Sequence, residues 1–385
     1  MKLVIKYIII ETSLILYKIL WIFLPIRKNT IVFISFGGNS ISCNPLYLYK
    51  YMKGNASRYD MYWLLKRNTM TKELPDSEIV WMNSLRSLLL LATAKIVITN
   101  DRLPSYISFR KKQYLINTWH GGGAFKKTFG NHTGIMGNYL RLMNFKDSKR
   151  TTCYLSTSKV FSDLLQKSFQ YNGFILNSGY PRNDLFFAED QKEALRQKVK
   201  RRLDIPVNED VILYAPTFRG NPGSASMGII KKNPLDIERV IKAWNIKTGN
   251  HCHILFRAHH TMREGLGTER IIDVTAYPDM QELLLISDAM ITDYSSCIWD
   301  YSLTGRPCFM YAPDFKQYFA QPGFESDYRQ WPAILAESNA ELEDEILNFD
   351  NDEYKKKVTK YHKMYQSYET GNACQKVYNY IKSLE

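Results

Sequence analysis

From Thr30 onward the chain alternates between short β-rich runs and helical stretches, and this limits the fold more than any other feature. The runs IVFISF (31–36), MYWLLK (61–66), KIVIT (95–99), QYLINT (113–118), CYLST (153–157) and GFILN (173–177) read as strands, with helical text such as SLRSLLLLATA from Ser84 between several of them. Strands spaced by helices predict βαβ units and a parallel sheet. A charged helix over Asp190 to Arg202 interrupts the series. A second series follows, with VILYA (211–215), HILFR (253–257), IIDV (271–274), DAMIT (288–292) and PCFMY (307–311). The chain therefore reads as two α/β domains in tandem, 31–187 and 188–348, with a hydrophobic segment at 1–30 and a polar helical segment at 349–385. A length of 385 residues supports a full core in each domain.

Open parallel sheets bind ligands beyond the carboxyl ends of their strands. Six polar or glycine-bearing motifs fall there: NTWHGGG after 113–118, SGYPRND after 173–177, PTFRG after 211–215, RAHH after 253–257, TDYSS after 288–292 and YAPDF after 307–311. In NTWHGGGAFKKTFG, Gly121 and Gly122 let backbone N–H groups approach an anion, and Lys126 and Lys127 add positive charge. His120 is a candidate general base near neutral pH; the plain alternative is a hydrogen-bonded histidine in a tight turn. TDYSS supplies hydroxyls from Thr292, Ser295 and Ser296, and Asp300 lies one helical turn beyond Ser296. A serine there is equally a simple helix N-cap.

Arg257, His259 and His260 place a cation and imidazoles at a strand end, which suits phosphate binding. No carboxylate stands at metal-ligand spacing beside them, so no metal is expected, and no cofactor. Arg182, Asn183 and Asp184 follow a proline turn; the plain alternative has Asp184 capping the next helix and pairing with Arg182. Thr217 and Arg219 suit an anion as well. The sequence has no Walker lysine motif, no complete GxGxxG and no GxSxG. Several cations, many hydroxyls, two histidine bases and few acids fit a diphosphate ligand, handled by positioning and charge stabilisation.

The balance of 51 Lys and Arg against 38 Asp and Glu favours an anionic partner without choosing which. No RRM, zinc-finger or helix-turn-helix signature is present, so nucleic acid is not the expected partner. The six cysteines form neither a CxxC pair nor a disulfide framework, as in a protein of a reducing compartment. Leu3 to Ile26 is long enough to span a bilayer, but Lys6, Glu11 and Lys18 interrupt it. It reads as a helix lying on the cytoplasmic face of an anionic membrane, or as one packed on the protein or a partner copy.

As a set, the motifs resemble the CDP-glycerol glycerophosphotransferase family, which builds teichoic acids and related polyol-phosphate polymers. The resemblance runs from about Ile31 to Tyr318, through SFGGNSISCNPLYLY, AKIVITNDRLPSY, INTWHGGGAFKKTFG, SGYPRNDLF, YAPTFRG, FRAHH and ITDYSSCIWDYSLTGRPCFMYAPDFKQY. It implies a GT-B-like α/β fold, in which two Rossmann-like parallel-sheet domains, one for the acceptor and one for the CDP donor, face a cleft. It also implies peripheral association with the cytoplasmic face of the cell membrane and a lipid-linked acceptor. His120 matches the family's proposed base, Arg257 and His259 its strand-end Arg-x-His, and Ser295, Ser296 and Asp300 its donor-binding block.

The family text after Trp-His-Gly is Thr-Pro-Leu-Lys, where this chain has Gly-Gly-Ala-Phe-Lys; its Arg-Pro-His-Pro is Arg-Ala-His-His here. The expected reaction is transfer of glycerol phosphate, or ribitol phosphate, from a CDP-activated donor to an acceptor hydroxyl, with CMP leaving. His120 takes the proton, with His259 the second candidate. Arg182, Asn183, Asp184, Thr217, Arg219, Arg257, Thr292, Ser295, Ser296 and Asp300 hold the donor. Gly121, Gly122, Lys126 and Lys127 face the acceptor. A nucleotide-sugar glycosyltransferase uses the same architecture, a non-catalytic binder of anionic lipid or nucleic acid is the third reading, and homo-oligomerisation stays open.

Overall fold

A computed structural model describes residues 2–55, 58–71, 74–122, 134–217, 235–257, 271–315, 324 and 326–385. They divide into two units. The first holds the described residues up to Gly122, those from Gly134 to Asp184, and Ser367–Glu385; the second holds those of Leu185–Gln366.

The first unit is built on seven parallel strands: β1 (Arg27–Ile34), β2 (Asp60–Leu65), β3 (Ile79–Trp81), β4 (Ala94–Thr99), β5 (Tyr114–Asn117), β6 (Cys153–Leu155) and β7 (Phe174–Leu176). Their order across the sheet is β3-β2-β1-β4-β5-β6-β7, so the winding reverses between β1 and β4. Both faces are covered, which is why the strands are apolar without polar alternation. Along β1, Ile31 and Phe33 face a core with Trp63, Ile98 and Ile116, closed by Leu46, Tyr49 and Met52 of α2 (Cys43–Asn55). Val32 and Ile34 face the opposite core with Val97, Leu115 and Leu90 and Leu91 of α3 (Leu85–Thr93). Ser84 caps α3 in a reciprocal box with Ser87. Truncating a ring as buried as Trp63 costs about 3–5 kcal/mol.

α1 (Lys2–Phe23) joins the second of these cores through Tyr17, Leu20 and Trp21. Arg110 holds its end by donating to the carbonyls of Trp21 (2.7 Å) and Leu24 (2.6 Å). Glu11 pairs with Lys146 of α4 (Gly134–Arg150). The helix is thus packed on its own unit along one side, while Ile8, Ile15, Ile19, Ile22 and Phe23 stay exposed on the other. No helix among the described residues is long and apolar enough to cross a membrane.

The second unit repeats the plan with six parallel strands: β8 (Asp210–Ala215), β9 (Cys252–Phe256), β10 (Ile271–Asp273), β11 (Ala289–Thr292), β12 (Cys308–Tyr311) and β13 (Ile334–Ala336). Their order is β10-β9-β8-β11-β12-β13, with the reversal between β8 and β11. One face packs Ile212, Tyr214, Phe256, Ile291 and Phe309 against Val240, Ile241 and Trp244.

The segment expected as one helical tail, 349–385, divides. Asn351–Tyr365 stays with the second unit, and Ala373–Ser383 returns to the first, where Val377 and Ile381 join the Ile31–Phe33 core. Among the described residues, the chain first passes between the units at Asp184 and Leu185.

Candidate active site

In the first unit, the reversal between β1 and β4 brings Ser35 and Phe36 beside Asn100. Asn100 is fully buried. Its side-chain oxygen accepts from the Phe36 N–H (2.8 Å), and its amide donates to the Ser35 hydroxyl (3.2 Å). Its carbonyl lies 2.6 Å from Nδ1 of His120. A carbonyl can only accept, so Nδ1 carries the hydrogen and Nε2 holds the lone pair in the neutral ring. That is the tautomer a general base needs. The ring lies flat against Trp119, with centroids 5.0 Å apart, and is tilted on Phe36 at 5.3 Å. Burial lowers the histidine pKa, and Arg182 lowers it further; the Asn100 carbonyl and Asp101 pull the other way.

The turn is strained. Phe36, Cys43 and Trp119 have φ of 45°, 62° and 53°. Non-glycine residues pay about 1–3 kcal/mol each for such conformations, which persist only where the surroundings enforce them. Asn44 does so here: its amide donates to the Trp119 carbonyl (3.0 Å), and its oxygen accepts from the Arg182 N–H (3.2 Å). Gly122 is closely enclosed. A Cβ there would meet Cγ2 of Thr157 at 3.0 Å and the Tyr180 ring at 3.3 Å, and its carbonyl already accepts from the Thr157 hydroxyl (2.8 Å). Gly121 is half-buried beside it. Lys126 and Lys127 lie outside the described residues.

Arg182, Asn183 and Asp184, expected as donor contacts, lie in the first unit in the turn Pro181–Phe187, and their side chains hold that unit together. Arg182 donates through Nη2 to the His120 carbonyl and through Nη1 to Sγ of Cys43, both at 2.8 Å. Asn183 donates to Glu369 (2.9 Å), which also accepts from the Tyr180 N–H. Asp184 accepts from the N–H groups of Ala373 and Cys374, each at 2.8 Å, and so caps the last helix rather than the next one. Gly179, at φ 80°, lets Glu369 approach: a Cβ would sit 2.6 Å from its carboxylate.

The second unit gathers its polar groups at its own reversal. Asp293, buried, accepts from the Thr217 N–H with both oxygens and from the Tyr294 N–H. Thr292, expected as a ligand hydroxyl, is buried and donates to the Ala215 carbonyl at 2.6 Å, tying β11 to β8. The hydroxyl of Ser295 accepts weakly from the Cys297 N–H (3.4 Å), while Ser296, the residue before the helix Cys297–Ser302, makes no capping bond with its side chain. Asp300, buried, accepts from the Gln281 amide (3.0 Å). Arg257 donates to the carbonyls of Tyr277 (2.7 Å) and Val274 (3.3 Å); burial lowers its pKa and Asp279 opposes that. A guanidinium has five N–H donors, so holding this loop does not exhaust it. Arg219 and His259 lie outside the described residues, as does His260.

Sequence reasoning missed Asn44, Asn100, Asp293 and Glu369. Asn100 and Asp293 each follow a central strand at a reversal, a signal open to reading once strand order is known. Asn44 and Glu369 carry no such signal, since each acts across a long sequence separation.

Two doubly wound parallel sheets, each with its polar cluster at the reversal of strand order, define a GT-B-like α/β transferase. The chain belongs to the CDP-glycerol:poly(glycerophosphate) glycerophosphotransferase family, whose model matches residues 15–383. It is 28% identical to a teichoic acid poly(glycerol phosphate) polymerase of Bacillus subtilis over 94% of this chain, but spans only 50% of that relative's length. A protein of the same description from Bacillus spizizenii is 29% identical, with 98% of each chain covered. A solved structure of the wall teichoic acid polymerase TagF superposes with a TM-score of 0.82 at 28% identity, covering 93% of this chain and 90% of that one.

Proposed function

We propose that the chain transfers a polyol phosphate from a CDP-activated donor to a hydroxyl of a lipid-linked cell-wall or capsule acceptor. The acceptor oxygen bonds to the phosphorus that carries the polyol, the bond from that phosphorus to the CMP oxygen breaks, and CMP leaves. Nε2 of His120 takes the hydroxyl proton. The observation that carries this reading is the His120–Asn100 hydrogen bond, which fixes the tautomer at the reversal of the first sheet. In a family named for glycerophosphate transfer, an aimed neutral imidazole matches the one proton the reaction must move.

The first unit serves the acceptor; Gly121, Lys126 and Lys127 are the residues assigned to it. The second serves the donor: Thr217, Arg219, Arg257, His259, Ser295, Ser296 and Asp300 are assigned to the diphosphate and to offsetting charge on the leaving CMP. Thr292, like Arg182, Asn183 and Asp184, shapes the frame instead. The exposed apolar side of α1 rests on the cytoplasmic face of an anionic membrane. Exchanging Ile15, Ile19 and Phe23 for serine should abolish co-sedimentation with anionic vesicles; unchanged sedimentation would remove α1 from that role.

The decisive assay is CMP release from CDP-glycerol and from CDP-ribitol, with a membrane extract as acceptor, for the wild type and His120→Ala. Release from one donor, lost in the variant, names the polyol and supports the base. Absence of CMP from both, alongside an extract active with a known transferase, would overturn the reading.

A further inference from the structure

We infer that Arg182 is a positioning residue for His120, fixing the carbonyl of the histidine turn from an element that comes 62 positions later in the chain. The inference rests on the reading of His120 as the base.

Three contacts converge. Nη2 of Arg182 donates to the His120 carbonyl and Nη1 to Sγ of Cys43. The Arg182 N–H donates to Asn44, whose amide holds the Trp119 carbonyl. The guanidinium also lies over the Tyr180 ring at 4.9 Å and is only 5% exposed. A cation so enclosed is placed to brace the turn rather than to meet a phosphate. The turn needs bracing because Trp119 sits at φ 53°, which an unrestrained residue leaves. The braced carbonyl is one bond from the Cα that carries the imidazole, so slack there moves Nε2.

Charge acts in the same direction. Among the described residues, the charged groups acting on the imidazole are Asp101, from the loop after β4, and Arg182, whose guanidinium also binds the Cys43 thiol. Asp101 favours the protonated ring and Arg182 disfavours it. Removing Arg182 removes the charge that offsets Asp101, while burial still disfavours the protonated ring.

The test compares Arg182→Gln and Arg182→Lys by two readouts: CMP release from CDP-glycerol with a membrane extract, and a pH titration of 13C-labelled histidines by NMR. The His120 signal is assigned by its loss in His120→Gln. Arg182→Gln should lower kcat about 10- to 100-fold, as for losing one charged hydrogen bond, with KM for CDP-glycerol within about twofold. The acid limb of its rate profile and the His120 titration should both move to higher pH. Lysine keeps the charge but reaches only one of the two acceptors, so Arg182→Lys should lose kcat while its titration midpoint stays near that of the wild type. A raised KM at unchanged kcat would make Arg182 a donor contact and overturn the inference, as would an unmoved titration in Arg182→Gln. Should Arg182→Gln fail to fold, a folded Arg182→Lys with wild-type kcat overturns it equally. Activity that survives in His120→Ala sinks the base assignment alone, because the NMR shift still reports the hold of Arg182 on the ring.

Discussion

Both carboxylate oxygens of Asp293 accept the backbone N–H of Thr217, at 2.9 and 3.1 Å. The contact pins the ends of β8 and β11 together at the point where the second sheet reverses. Asp293→Ala leaves the half-buried Thr217 N–H and the buried Tyr294 N–H without this acceptor, at a cost of roughly 1–3 kcal/mol in stability. KM for the CDP donor should rise more than kcat falls, with Asp293→Asn intermediate. Thermal unfolding and steady-state kinetics check this; an unchanged KM would separate Thr217 from the donor.

The pH profile follows from His120. Burial is the largest influence on its ring and lowers its pKa below the ordinary value of about 6.5. A base works only unprotonated, so activity is full at neutral pH and is lost as pH falls through the lowered value. The acid midpoint of kcat/KM should lie below about 6.5. A midpoint at or above that value would mean another group limits the rate.

Gly122 stands where its turn meets Thr157. In Gly122→Ala the new methyl meets Cγ2 of Thr157 at 3.0 Å, so the turn shifts or the contact is strained, by about 1–3 kcal/mol. CMP release should drop with it. Combining the change with Thr157→Ser removes Cγ2 and keeps the hydroxyl, and should restore part of the loss. Absence of restoration would place the obstacle at the retained Thr157 hydroxyl, 3.1 Å from the new methyl, or at the Tyr180 ring, 3.3 Å from it.

His362 sets an acid limit on the second unit. It is held near Ser302, 3.0 Å from the hydroxyl, and burial lowers its pKa to about 4. The unfolded chain takes up the proton near pH 6.5, the folded chain only near 4, so stability is full above about 6.5 and falls as pH drops toward 4. The loss approaches roughly 3 kcal/mol. In His362→Gln, unfolding measured at neutral pH and at about pH 4.5 should differ less than in the wild type. An identical acid loss would assign it elsewhere.

Most of the fold is legible because doubly wound sheets write buried strands as continuous apolar runs, such as Val211 to Ala215 and Ala94 to Thr99. Ile79–Trp81 and Ile334–Ala336, both edge strands of three residues, escape the sequence reading; shortness alone is not the reason, because Phe174–Leu176 and Ile271–Asp273 are equally short edge strands and are read from their apolar runs. The candidate site is legible to the extent that it sits directly after strands: His120, Thr217, Arg257 and Ser295 all do. What escapes is the direction of each bond. Thr292 and Asp184 have the right chemistry for a ligand, yet one holds a neighbouring strand and the other caps a helix more than 180 residues away. No local pattern distinguishes a hydroxyl aimed at a ligand from one aimed at the chain.

The division of the tail has a bearing on how the protein is made. Glu369 and the helix capped by Asp184 emerge from the ribosome after the whole of the second unit. The nascent first unit therefore waits, with Tyr180, Asn183 and Asp184 lacking these partners, while nearly two hundred residues are synthesised. A chain released early, just past Gln366, would carry a finished second unit and a first unit in which Tyr180, Asn183 and Asp184 lack these partners. Such a fragment would bare the part of the Ile31–Phe33 core that Val377 and Ile381 cover, and limited proteolysis should cut it in the first unit before the second.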